Sequence, residues 1–144
     1  MASDTVAALT SAVAPVVMVS AAGLLATGVQ GKNLHLADRI RALMTEYRHP
    51  DTTAPRRAQI TAQLPLFYRR IRLSQWSLDM IYLAILCFIV TSLLLASQLW
   101  FGSPAVPVTI FAVGVAVLVV ALVLEFIEMW IALDTIRIEM RDVV

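Results

Sequence analysis

Apolar residues run along this chain in long blocks with no polar face. From Met80 to Leu124, forty-five consecutive residues carry no charge and no histidine, and the run is interrupted once, at Trp100-Phe101-Gly102-Ser103-Pro104. A bilayer core of roughly 30 Å takes about 20 apolar residues as helix, so this run is too long for one span and suits two with a tight turn. An uncharged block from about Val6 to Val29 precedes it. The pattern predicts spans over 6–29, 77–99 and 106–130, with a turn over 100–105. At 1.5 Å rise per residue each crosses a bilayer with some tilt.

Between the first and second blocks the pattern changes. Leu36, Ile40, Leu43, Met44 and Tyr47 recur at three- and four-residue spacing, with Asp38, Arg39, Arg41, Glu46 and Arg48 mostly elsewhere on the turn. That is an amphipathic helix. The string from His49 to Pro55 ends it, because proline disfavours helix before itself. Ile60, Leu64, Phe67 and Ile71 begin a second amphipathic helix that runs toward the second span, with a kink expected at Pro65. The fold class predicted is all-α: one integral membrane domain of three transmembrane helices, a helical hairpin over 31–73, and a polar tail over 134–144.

Charge adds an orientation. Nine of the eleven Lys and Arg residues lie between Lys32 and Arg72, against the acids Asp38, Glu46 and Asp51. Basic loops stay cytoplasmic, so the hairpin and the C-terminal tail are expected inside and the N-terminus outside. Trp76 and Trp130 would then mark the inner interface, and Trp100 and Phe101 the outer one. The first block is read as a span and not a cleaved signal, since Asp4 is its first charge and no Lys or Arg precedes Lys32.

Composition narrows the classes. With 60 % hydrophobic residues the chain has too little polar surface for a soluble domain. The one cysteine, Cys87, excludes an internal disulfide framework and reads as packing between Leu86 and Phe88. No zinc-ligand spacing, Gly-rich phosphate loop or nucleophile-and-base arrangement is present, so no enzyme activity and no cofactor are expected. Nucleic acid is not an expected partner either, because acids interleave the basic segment and no groove-reading motif occurs.

Ala14-Pro15-Val16-Val17-Met18-Val19-Ser20-Ala21-Ala22-Gly23-Leu24-Leu25 is followed by Ala37-Asp38-Arg39-Ile40-Arg41-Ala42-Leu43. Together with Arg69-Arg70-Ile71-Arg72-Leu73 and an acid late in the third span, these stretches resemble the bacterial membrane-protein family called domain of unknown function 2721. The likeness runs from about Ser11 to Leu133. Where the family is expected to carry an Asn-Arg pair after the first span, this chain has Gly31-Lys32-Asn33. The resemblance implies a multi-pass protein of the bacterial inner membrane with three spans, and brings no activity with it.

Three constellations remain. The first span is rich in small and hydroxyl residues, among them Ser11, Pro15, Ser20, Gly23 and Thr27, whereas the other two are rich in Leu, Ile, Val and Phe. Small residues allow close helix approach, so this span is the candidate oligomer contact, or a pore-facing one. Asp79, Glu125 and Glu128 are expected at similar depth at the inner edge of the hydrocarbon. They form either a cation or proton site or a set of ion pairs with Arg69, Arg70, Arg72 or Arg137. Arg69, Arg70 and Arg72 are also candidates for anionic lipid headgroups. Two functions follow. One is a homo-oligomeric, ion-conducting assembly with the first span toward its axis and the acids near the inner mouth. The other is a structural or accessory protein that stabilises a larger membrane complex or organises lipid.

Overall fold

Three long helices make up the computed structural model, which describes the backbone of residues 2–97 and 105–141 and the side chains of 13–96 and 105–132. They are α1 (Ala2–Arg48), α2 (Ala54–Ser97) and α3 (Ala105–Arg141). Each is long and apolar enough to cross a membrane. The predicted turn at 100–105 falls almost wholly outside the described residues.

The span and the first amphipathic segment are one helix. α1 has 47 residues, about 70 Å at 1.5 Å per residue, and α2 has 44. Each is about twice the length that a bilayer core requires. No helix breaker lies between Val29 and Leu36, and Gly31 costs only about 1 kcal/mol in a helix interior. Pro15 is buried inside α1, and Pro65 lies inside α2 on an exposed face. The polar tail is largely helical as well, since α3 continues to Arg141.

His49 to Thr53 reverse the chain between α1 and α2. Thr52 Oγ1 donates to the Glu46 carbonyl at 2.6 Å, and the Arg57 guanidinium donates to the His49 carbonyl at 3.1 Å. These bonds satisfy carbonyls that the end of a helix leaves open. Arg56 closes the turn from outside, donating to both Glu46 oxygens at 2.7 and 3.1 Å. The Arg56 guanidinium thereby holds the Glu46 carboxyl below the ordinary carboxylate range. Pro55 occupies the first turn of α2, where its missing N–H leaves no bond unmade.

α2 packs along both α1 and α3. Paired residues on α2 and α3 run in opposite directions: Arg70 with Glu128, Ser74 with Glu125, Ser77 with Ala121, and Phe88 with Phe111. Many of the buried positions recur every seven residues: Pro15, Ala22, Val29, Leu36 and Leu43 on α1, Ser77, Ala84 and Thr91 with Ser74, Ile81 and Phe88 on α2, and Pro107, Gly114, Ala121 and Glu128 on α3. A seven-residue repeat keeps one seam of each helix facing its neighbours over a long distance. Most of these seam residues are small, while Leu24, Leu93, Val108 and Phe126 point outward. In lipid that arrangement is favourable, because helix contact there comes from close packing and not from hiding apolar surface from water. Phe88 is the largest of the fully buried side chains among the described residues and rests against Gly114 and the Phe111 ring.

Candidate functional site

Two polar features stand out at the end of the uncharged block. Glu125 and Glu128 are three residues apart on α3 and share its inner face. The seven-residue seam that carries Ala121 delivers Glu128 to the same buried line, and its side chain is 2 % exposed. A carboxylate in that position needs partners, because an uncompensated buried charge costs several kcal/mol.

The partners come from the two other helices. Lys32 of α1 donates to Glu128 Oε2 at 2.6 Å and also donates to Glu125 Oε2. Arg70 of α2 donates through Nε to Glu128 Oε1 at 3.0 Å. Ser74, one turn further along α2, donates to Glu125 Oε1 at 3.2 Å. All four carboxylate oxygens thus accept a hydrogen bond, three of them from a cation. Two cations and two carboxylates cancel. Lys32 reaches across from α1 to α3 and is the side chain that ties all three helices into one clasp. Burial is graded within the cluster: the Lys32 side chain is 37 % exposed, Glu125 19 % and Arg70 18 %. The clasp is closed around Glu128 and open on the side of Lys32.

A cleft of about 390 Å³ lies over that open side, lined by Lys32, Arg70, Glu125 and Glu128 and walled by Leu122, Phe126, Met129 and Ala132 of α3. Phe126 and Trp130 stack edge to face with ring centres 6.2 Å apart and are both exposed. Two residues before Lys32, Gln30 of α1 donates to the Tyr82 hydroxyl of α2 at 2.7 Å.

Of the three candidate acids, Glu125 and Glu128 are brought together. Asp79 is exposed on α2 and takes no part in the clasp. It lies five residues beyond Ser74, which is level with Glu125, so it is about 7.5 Å deeper into the apolar block. Among the candidate lipid contacts, Arg70 turns into the cleft, while Arg69 and Arg72 are exposed. Among the described residues no group of three His, Cys, Asp or Glu side chains could hold a metal ion.

The small residues of α1 divide between two environments. Ala22 and Ala26 are buried against α2. Ser20 and Thr27 are exposed, and their hydroxyls donate back to the Val16 and Gly23 carbonyls of the same helix at 3.4 and 3.0 Å. A Cβ added at Gly23 or Gly28 would meet nothing within 4 Å. The Ser11 side chain lies outside the described residues.

Lys32 and Ser74 were not legible as site residues from the sequence. One signal was available: Lys32 is the only lysine of the chain and the first cation after the first uncharged block.

The family model described as protein of unknown function (DUF2721) matches residues 12–138, most of the chain. The chain belongs to this family. The match takes in all of the clasp and the turn between α1 and α2. No curated protein and no solved structure matches the chain.

Proposed function

We propose that this DUF2721 protein is a structural protein of the bacterial inner membrane, which self-associates through the exposed face of α1 and stabilises a larger assembly. The observation that carries this reading is the matched clasp. Both buried-end carboxylates are held by cations of the same chain, Lys32 and Arg70, so neither is left uncompensated for a passing cation. Such a clasp fixes the register of three helices, which suits a rigid post. The exposed Ser20, Thr27 and Gly28 and the half-buried Gly23 support self-association, because their short side chains permit close approach of a second helix. An accessory role and an anionic-lipid contact through Arg69 and Arg72 belong to the same reading.

One observation favours the ion-conducting alternative. The face of α1 that bears Ser20 and Thr27 is polar enough to line an axis if several copies surround it. Flux separates the two readings. Protein reconstituted in liposomes is expected to pass no sodium, potassium or protons above the level of empty vesicles. A flux that disappears in Glu125→Gln would replace the structural reading with the conducting one.

Assembly is tested at Gly23 and Ser20. A Cβ at Gly23 meets nothing within one chain, so a larger side chain there is directed at a contact between copies, and unchanged helix content checks that the bundle itself is intact. Gly23→Leu and Ser20→Leu are expected to shift detergent-solubilised protein to smaller species by native mass spectrometry. Unchanged mass in both variants would exclude α1 as the contact.

Orientation is the third element of the proposal, from the basic segment Lys32 to Arg72. Ser3→Cys is expected to react with an impermeant thiol reagent in spheroplasts, and Pro50→Cys only after lysis, both in a Cys87→Ala background. The reverse pattern would invert the topology.

A further inference from the structure

The clasp does not use all of its donors. Arg70 engages Glu128 through Nε alone, and its two terminal amino groups have no partner among the described residues. The Lys32 ammonium makes two hydrogen bonds of the three it can donate among the described residues. These spare N–H groups belong to side chains that line the cleft, and Glu125 lines it beside them. The rest of the lining on α3, Leu122, Phe126 and Met129, is apolar, and Phe126 and Met129 are among the exposed large hydrophobic residues. The cleft therefore has a polar floor at the very position where the uncharged block of α3 ends, and an apolar wall that continues along α3 into the block.

We propose that this cleft holds the headgroup of a zwitterionic phospholipid with a primary ammonium, such as phosphatidylethanolamine, with an acyl chain against the α3 wall. The charges select it. Two cations and two carboxylates leave the cleft with no net charge, so a plain anion or a plain cation meets as much repulsion as attraction. A headgroup that carries both charges can set its phosphate against the cations and its ammonium against a carboxylate, and so gains from both. Its phosphate oxygens accept from the free amino groups of Arg70 and the third N–H of Lys32, a geometry that a guanidinium fork suits. Its ammonium donates to Glu125, the more exposed of the two carboxylates. A choline headgroup has no N–H to donate, and a glycerol headgroup leaves the site one charge out of balance. The cleft volume of about 390 Å³ accommodates a headgroup with the first part of a chain.

This inference rests on the clasp being charge-matched, as the structural reading above holds, but it is read out separately. Full-length protein in mild detergent is titrated with phosphatidylethanolamine, phosphatidylcholine and phosphatidylglycerol of the same acyl chains, and bound lipid is counted by native mass spectrometry. Phosphatidylethanolamine is expected to bind about tenfold tighter than either of the others, a difference of about 1.4 kcal/mol. Arg70→Lys keeps a cation for Glu128 but has no fork to spare, and Glu125→Gln removes the ammonium's acceptor. Each is expected to reduce the preference to about twofold or less. Inorganic phosphate is expected not to displace the lipid. Equal binding of the three lipids, preference for phosphatidylglycerol, displacement by inorganic phosphate, or a preference untouched by both variants would overturn the proposal. Ion flux that depends on Glu125, with the lipid preference intact, would sink the structural reading and leave this one standing.

Discussion

Replacing Arg70 with methionine is expected to destabilise the protein by about 3 kcal/mol, the low end of the range for breaking a buried ion pair. Glu128 is the reason. Its side chain is almost fully enclosed, and without Arg70 its Oε1 loses its partner while Lys32 is left to serve two carboxylates alone. The low end applies because Lys32 remains and the Arg70 side chain keeps some exposure. The second half of the test is rescue. Arg70→Met combined with Glu128→Gln removes the charge that Arg70 compensated, and the double variant is expected to recover at least half of the loss. Reversible unfolding in mixed micelles measures both. Additive losses, or an Arg70→Met protein as stable as the parent, would mean that the clasp does not hold the helices together.

Glycine 114 carries the second large effect. A Cβ there would lie 2.8 Å from Phe88 Cε1 and 2.9 Å from the Cys87 Cβ, closer than carbon atoms tolerate. Phe88 is fully buried and packed against Phe111, so its ring has nowhere to retreat. Gly114→Ala is expected to cost about 1–2 kcal/mol and Gly114→Leu about 3 kcal/mol through overpacking. Gly23→Ala provides the contrast. Its Cβ meets nothing, and alanine is the better helix former by about 1 kcal/mol, so this change should be neutral or stabilising. Adding Phe88→Leu to Gly114→Ala should make the combined loss smaller than the sum of the two single losses, since the ring clash goes while the Cys87 contact stays. Equal stability of the two alanine variants would show that α2 and α3 do not approach as closely as Gly114 implies.

Asp79 shows how far sequence reasoning could reach into the site. Counting residues from Trp76 and Trp130 put Asp79 level with Glu125, because the register of two antiparallel helices was set from their ends. The register is in fact set by packing: Gly114 against Phe88, and Ser77 against the Ala121 carbonyl at 2.9 Å. Those contacts align Ser74 with Glu125 and leave Asp79 more than a turn deeper, on the outer face. Lys32 was hidden for a related reason. It lies about forty residues of chain from Ser74 and more than ninety from Glu125, and only the folding of α1 back along α2 brings it there.

The sequence by itself determined the number of apolar helices long enough to span, the helical character of the segment between the first two and the family. All of these depend on blocks of apolar residues or on local helix spacing, and both are read along one strand of chain. The inward faces of the spans were not readable. In water, buried and exposed faces differ in polarity and a period appears. In lipid, both faces of a helix are apolar. Here the inward seam is the smaller and more polar one, with Ser74, Ser77, Gly114, Ala121 and Glu128 on it, while Leu and Val face out. Only the tertiary structure decided which carboxylates meet which cations, because that follows from how closely small residues let three helices approach.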